Sequence, residues 1–331
     1  MPDGNFLLIA VLLLVLAAEF VNGWTDSPNA IATVVSTRVL SPSLAVLMAA
    51  VLNIVGALVT GTAVAETIGK GIVRPEIISL PVVAAAMLTI LVWSITAWFY
   101  GIPTSESHEL IAGLTGAGLA ATGPSVLLWE GWQKVLIGLA FSTILGFSLS
   151  MAVMVSLYWL LRRNRPSSIR RAFGRLQILS AAFMAFSHGS NDGQKFMGVF
   201  TLALVLGGAM TKFAVPWWVM LLCGAVMGLG TASGGWRIIR TMGFKLTKLE
   251  PVNGFAAETS SALTILLASH FGIPLSTTHT ITTSIIGVGA TKRFSAVRWG
   301  VAGNIIVAWI ITFPVCGVLG YLFTWILRAI L

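Results

Sequence analysis

Hydrophobic residues along this chain come in long blocks instead of alternating with polar ones. The stretches 43–65, 77–105, 135–161, 213–236 and 299–327 contain no Lys, Arg, Asp or Glu. A helix of about 20 apolar residues crosses the roughly 30 Å hydrocarbon layer of a bilayer, so each block predicts a membrane-spanning helix. The run from Thr259 to Thr291 is equally uncharged, but Gly272, Pro274 and a Ser/Thr cluster interrupt it, which predicts two helical pieces. Residues 5–38 admit two readings, because apolar Gly4–Ala18 leads straight into polar Glu19–Asn29. They form either one discontinuous crossing or a crossing plus a re-entrant piece. The predicted fold class is an all-α polytopic membrane protein.

Composition agrees, since 56% of the residues are hydrophobic and only 9% charged, too apolar for a soluble domain of this length. The N-terminus lacks a basic leader and a small-residue cleavage site, so it is expected to be retained. Cys223 and Cys316 lie in apolar runs and read as packing residues. The net charge of +9 does not point to nucleic acid, because the basic residues gather in short loops, above all Arg162, Arg163, Arg165, Arg170, Arg171 and Arg175. The positive-inside rule places that segment in the cytoplasm. It divides the chain into an N-terminal transmembrane repeat (1–161), a basic linker (162–175) and a C-terminal transmembrane repeat (176–331).

The two parts are related. Phe20-Val-Asn-Gly-Trp-Thr-Asp26 matches Phe186-Ser-His-Gly-Ser-Asn-Asp192 at Phe, Gly and Asp. Gly69-Lys70 and Pro75-Glu76 have rough counterparts in Gly243, Lys245 and Glu250-Pro251. Gly101-Ile-Pro-Thr-Ser-Glu-Ser-His108 then matches Gly272-Ile-Pro-Leu-Ser-Thr-Thr-His279, and Gly116 and Gly118 match Gly287 and Gly289. Duplicated halves with Gly/Pro-interrupted apolar segments at equivalent places are the pattern of a secondary transporter, whose site lies near the midplane where discontinuous helices or re-entrant hairpins meet. Two inverted-topology repeats are the expected arrangement.

Each Gly-Ile-Pro segment predicts a helix start whose backbone N–H groups lack intrahelical partners, with Ser105 and Ser107 beside one and Ser276, Thr277 and Thr278 beside the other. Two such starts facing each other suit a tetrahedral oxyanion; one alone reads equally well as ordinary capping. Asp26 and Asp192, beside Asn29 and Asn191, sit in apolar surroundings where a carboxylate faces a cavity, a proton path or a cation such as Na⁺. The alternative is a buried cap or an ion pair, with Lys195 available three residues after Asp192. Glu258 reads as a proton carrier, an ion ligand or a pore-facing polar residue. His108 and His279 show no zinc-site spacing and are expected to be structural, satisfied by backbone carbonyls. No nucleotide-binding or nucleophile motif is present, so neither an enzyme nor a cofactor is expected.

With these segments assembled, the chain resembles the inorganic phosphate transporter family (Pit). The resemblance is carried by Gly23-Trp-Thr-Asp-Ser-Pro-Asn29, Gly189-Ser-Asn-Asp-Gly-Gln-Lys195, Asn29-Ala-Ile-Ala-Thr-Val-Val-Ser-Thr37, Met227-Gly-Leu-Gly-Thr231, Pro251-Val-Asn-Gly254 and Ser276-Thr-Thr-His279. It implies import of inorganic phosphate by symport with Na⁺ or H⁺ across the plasma (inner) membrane, by alternating access, in a homodimer. It further implies phosphate contacts at Ser105, Ser107, Ser276, Thr277 and Thr278, and cation-side roles for Asp26, Asn29, Asn191, Asp192, Gln194 and Glu258. Sulfate, arsenate, a metal–phosphate complex and an anion channel are the alternatives. The Asn-Asp pair and Ser-Thr-Thr-His favour phosphate over the sulfate-transporting branch. Thr25 stands where the first signature usually has Asn, and Asn53 where some animal relatives have Glu.

Overall fold

The computed structural model describes residues 2–330, which form helices joined by short turns, with no strand among them and one isolated bridge between Val73 and Leu127. The first half comprises α1 (Pro2–Asp26), α2 (Pro28–Ser36), α3 (Pro42–Val59), α4 (Ala63–Gly71), α5 (Leu80–Tyr100), α6 (Glu106–Thr122), α7 (Trp129–Ala140) and α8 (Gly146–Leu161). The second comprises α9 (Pro166–Leu206), α10 (Trp217–Ser233), α11 (Trp236–Arg240), α12 (Pro251–His270), α13 (Thr277–Lys292) and α14 (Trp299–Ile330). Among the described residues five segments are long and apolar enough to cross a membrane, with a sixth if α10 and the following helix, bent by 59°, count as one. The chain is therefore a multi-pass membrane protein.

One open point of the sequence is resolved and one expectation is corrected. Residues 5–36 form a single apolar span, broken only where Pro28, which has no N–H, opens α2. The basic segment expected as a loop is one only as far as Arg165. Pro166 occupies a first helical turn, where its missing N–H costs nothing, and Arg170, Arg171 and Arg175 ride on the start of the 41-residue α9.

The apolar interior is split into two cores. One gathers Val11, Val15 and Ala18 of α1, Ile68 of α4, Met87 and Ile90 of α5 and Phe196 to Leu204 of α9. The other gathers Ala30 to Val35 of α2, Met184 and Ala185 of α9, Ile265 of α12 and Ile281 and Ile285 of α13. Both α1–α2 and α9 run through both cores, and between them each carries a buried polar stretch, Glu19–Asn29 and Ser187–Lys195. Large apolar side chains such as Leu13, Leu44, Leu160, Trp217 and Trp325 lie outside. A polar belt is thus sealed between two hydrophobic bodies.

The halves interlock by exchanging partners. α1 packs on α10 and α9 on α3; α6 packs on α14 and α13 on α8. These crossings are so close that a Cβ at Gly230 would lie 2.1 Å from the Phe20 carbonyl oxygen, and one at Gly56 2.0 Å from that of Phe186. Small residues at helix crossings are how packing is maximised where lipid offers no hydrophobic driving force.

The Gly-Ile-Pro segments form the same turn twice. Gly101 (φ 67°) and Gly272 (φ 64°) adopt left-handed backbone. The N–H of Ile102 donates to the Ala97 carbonyl, and that of Ile273 to the Ala268 carbonyl, both at 2.9 Å, closing α5 and α12 in Schellman fashion. The proline then extends the chain to Ser105 and Ser276, which open α6 and α13.

Gly230→Ala is expected to lower stability by about 1–3 kcal/mol, because backbone has to shift. Gly303→Ala, where a Cβ meets nothing within 4 Å, should be neutral. Thermal unfolding in detergent compares the two directly.

Candidate functional site

The two hairpin turns deliver their hydroxyls into the polar belt. Ser105 and Ser276 cap their helices, their Oγ atoms accepting from the N–H groups of His108 (3.4 Å) and His279 (3.1 Å). The next hydroxyls reach across. Ser107 Oγ donates to the Leu275 carbonyl of the other hairpin at 2.8 Å. Thr277 Oγ1 donates to Asp192 Oδ2 at 2.8 Å, and Thr278 Oγ1 to Asp26 Oδ1 at 3.1 Å. Asn29 Nδ2 donates to both threonine hydroxyls, at 3.2 and 3.0 Å.

At the centre stands Lys195. Its ammonium hydrogen-bonds Asp192 Oδ1 and Ser107 Oγ, and donates to the Leu275 carbonyl at 3.1 Å. His188, one turn before Asp192, places Nε2 3.2 Å from Asp192 Oδ2 and Nδ1 3.1 Å from Asn53 Oδ1. Asp26, His188 and Asp192 each offer a ligand atom, all within 4.8 Å of one another. Glu106 is buried and accepts from Thr25 Oγ1. None of these side chains is more than 5% exposed, so the cluster is closed to both faces.

Among the expected site residues, Asp26, Asn29, Ser107, Asp192, Thr277 and Thr278 form this one network, with Ser105 and Ser276 as its flanking caps. Three others lie apart from it. Asn191 Nδ2 donates to Ser269 Oγ and the Ile273 carbonyl, bracing the second hairpin. Gln194 Oε1 accepts from the N–H of Val64 at 2.9 Å, satisfying an orphan donor at the start of α4. Glu258 belongs to a separate cluster, accepting from Thr33, Gln177 and Ser180.

The histidines correct an expectation. His108 and His279 are not held by carbonyls; their rings pack edge to face at 4.5 Å, and His279 stacks on Trp309 at 3.6 Å. Trp309 Nε1 in turn donates to the Pro103 carbonyl at 3.0 Å, fixing the stack against the first hairpin. Aromatic packing replaces hydrogen bonding there, and neither ring nitrogen of His279 has a partner among the described residues.

Sequence reasoning treated Lys195 only as a possible partner for Asp192, noted Thr25 only as a departure from the first signature, and gave His188 and Thr33 no role. The signal for His188 was its spacing, four residues before Asp192 on one helical face. Lys195 was legible as a cation in a stretch whose one other charge is Asp192, and charge in a membrane helix marks function.

A model described as the phosphate transporter family matches residues 22–171 and 162–320. The "Probable low-affinity inorganic phosphate transporter" of Rhizobium meliloti (strain 1021) is 47% identical over 317 residues, covering 96% of this chain and 95% of that protein. The protein of the same description from Bacillus subtilis (strain 168) is 41% identical over 332 residues, covering 98% and 99%. A solved structure, "The sodium-dependent phosphate transporter", shares the fold with a TM-score of 0.88 at 24% identity, covering 98% of this chain and 100% of its own.

Removing one member of the buried ion pair should leave the other uncompensated. Asp192→Asn is expected to cost about 3–5 kcal/mol, and the Asp192→Leu/Lys195→Met double variant to recover most of it. Unfolding temperatures in detergent check both.

Proposed function

The chain belongs to the phosphate transporter family, and from that premise we propose that it imports inorganic phosphate by symport with a monovalent cation, Na⁺ or H⁺. The observation that carries this reading is the meeting of the two hairpins. Helix starts from opposite halves bring hydroxyls and a lysine ammonium to one buried point beside two aspartates. Helix N-termini, hydroxyls and an ammonium all donate, which suits an oxyanion. The aspartates accept, and Asn29 Oδ1 is a buried acceptor without a partner among the described residues, which suits a cation.

Coupling follows from the shared hydroxyls. Thr277 and Thr278 spend their protons on Asp192 and Asp26 in the closed cluster. A cation or proton arriving at the carboxylate takes over that charge, frees the hydroxyl to donate to phosphate and removes the repulsion between carboxylate and anion. Each ligand thereby raises the affinity for the other, as linkage requires. Coupling is also needed energetically, since each negative charge moved inward at −100 mV is opposed by about 2.3 kcal/mol.

The rest of the reading is architectural. The repeated turns and exchanged helix partners support an inverted-repeat carrier in which the two bodies rock about the belt, each half of the chain (1–161 and 176–331) contributing to both. Arg38, Arg170, Lys248 and Arg298 line one cleft of about 590 Å³ near the 162–165 turn. By the positive-inside rule that face is cytoplasmic, in the plasma membrane. The family resemblance adds a homodimer. The Asp26, His188 and Asp192 constellation favours one second reading, transport of phosphate as a complex with a divalent metal.

Labelled phosphate uptake into proteoliposomes separates these readings. Accumulation driven by a Na⁺ gradient, a pH gradient or equimolar divalent metal identifies the co-transported species, and no accumulation under any of them rejects symport. Ser107→Ala/Thr278→Val should lower kcat/KM for phosphate about 100-fold, as expected for two lost hydrogen bonds to a charged ligand. Unchanged uptake in that variant rejects the site.

A further inference from the structure

The two halves of the belt are equivalent in sequence and unequal in charge. Asp26 and Asn29 hold the positions of Asp192 and Lys195, and Ser107 holds that of Thr278. In the first of these pairings Thr278 Oγ1 bonds Asp26 directly, at 3.1 Å. In the second, Ser107 does not reach Asp192; the Lys195 ammonium lies between them and hydrogen-bonds both. The ammonium's three partners are a carboxylate, a hydroxyl oxygen and a backbone carbonyl, the hard oxygen set that binds an alkali cation. The Ser107 proton is directed to the Leu275 carbonyl, so its lone pairs face the ammonium.

The Asp26 side has the oxygens without the cation. Thr277 and Thr278 direct their protons to Asp192 and Asp26, so the Asn29 atom facing them has to be its nitrogen. That leaves Asn29 Oδ1 a buried acceptor with no partner among the described residues, and Glu106 Oε2 is another. Asp26 is in no ion pair among them. Buried carboxylates and an unpaired amide oxygen in a membrane interior call for positive charge.

We infer that Lys195 is a built-in cation that permanently fills one of two equivalent cation positions, and that a single mobile monovalent cation is carried at the other, by Asp26, Asn29 and Glu106. The inference rests on the symport reading of this site. It assigns each half a distinct role: Lys195 offsets phosphate charge without being transported, and the Asp26 side alone loads and unloads. The number of co-transported cations is then one fewer than two open positions would allow.

Lys195→Asn installs the first-half residue in the second half and should open the filled position. Thermal unfolding of the purified protein in sodium chloride against choline chloride, without phosphate, reads cation binding directly. The variant is expected to gain roughly 3–5 °C of sodium-dependent stabilisation over the unmodified protein at saturating sodium, and a further Asp192→Asn change to abolish that gain. An identical sodium response in variant and unmodified protein overturns the inference. If the variant does not fold, thallium(I)-soaked crystals of the unmodified protein decide the matter. Thallium beside Asp26 and none among Asp192, Ser107 and Leu275 is expected. Thallium in the latter set, or none beside Asp26, overturns it. Expected cation results in a protein that accumulates no phosphate would reject the symport reading and leave the Lys195 assignment standing.

Discussion

A charged group inside a bilayer has no water to turn to, so the chain itself has to supply every partner. In this protein that demand converges on Lys195 and Asp192, both buried, one turn apart on α9. Satisfying them requires a hydroxyl and a carbonyl from two hairpins widely separated in sequence, and so requires both helix breaks. The left-handed glycines stop α5 and α12, the prolines extend the chain, and the restarted helices hold Ser107 and the Leu275 carbonyl where the ammonium needs them. The unbroken α9 carries the pair through the seam between two apolar cores. Moving either hairpin would leave the buried ammonium short of a hydrogen-bond partner.

The same seam gives the molecule its means of moving, in the proposed cycle. Apolar cores are close-packed and shift as bodies, whereas a belt of hydrogen bonds can be exchanged partner for partner. Each core is assembled from both halves of the chain, because the helices of one half pack on those of the other. In that proposed cycle the rocking bodies are not the two sequence repeats. They are the two cores, and the repeats supply each with equivalent parts. Lys195 ties the hairpins together through Ser107 and Leu275, so a ligand that competes for the ammonium loosens the joint between bodies as it binds.

Much of this was legible in the sequence. Uncharged blocks predicted the long spans, the repeated Gly-Ile-Pro segments predicted two broken helices, and Asp26, Asn29, Thr277 and Thr278 do lie in one network. What escaped depended on contacts far apart in the chain. Gln194 shares a motif with Asp192, yet the helical turn points it at the start of α4, and Glu258 finds its partners on α2 and α9 instead of in the belt. A motif groups residues by order, whereas a helix sorts them by face. His108 and His279 carried no signal at all for their stacking, because Trp309 arrives from α14. The basic segment at 166–175 read as a loop because charge and Ser/Pro content mark loops, but a proline at a first turn is equally a helix start.

Two of the departures from internal symmetry, at Lys195 and Glu106, are opposite in charge. The second half has gained a positive charge, Lys195 in place of the Asn29 type of residue, and the first half has gained a negative one, Glu106 where the other hairpin has Thr277. Thr25, which stands where the family's first signature usually has Asn, donates to Glu106 and so serves the same departure. These two changes cancel in formal charge while separating it, with the cation built into one side and extra anionic oxygen on the other. A symmetric belt would attract cations equally to both aspartates. A polarised one directs a mobile cation to Asp26, the aspartate whose hydroxyl partner, Thr278, also belongs to the proposed phosphate clamp, so cation and anion meet through one shared hydroxyl.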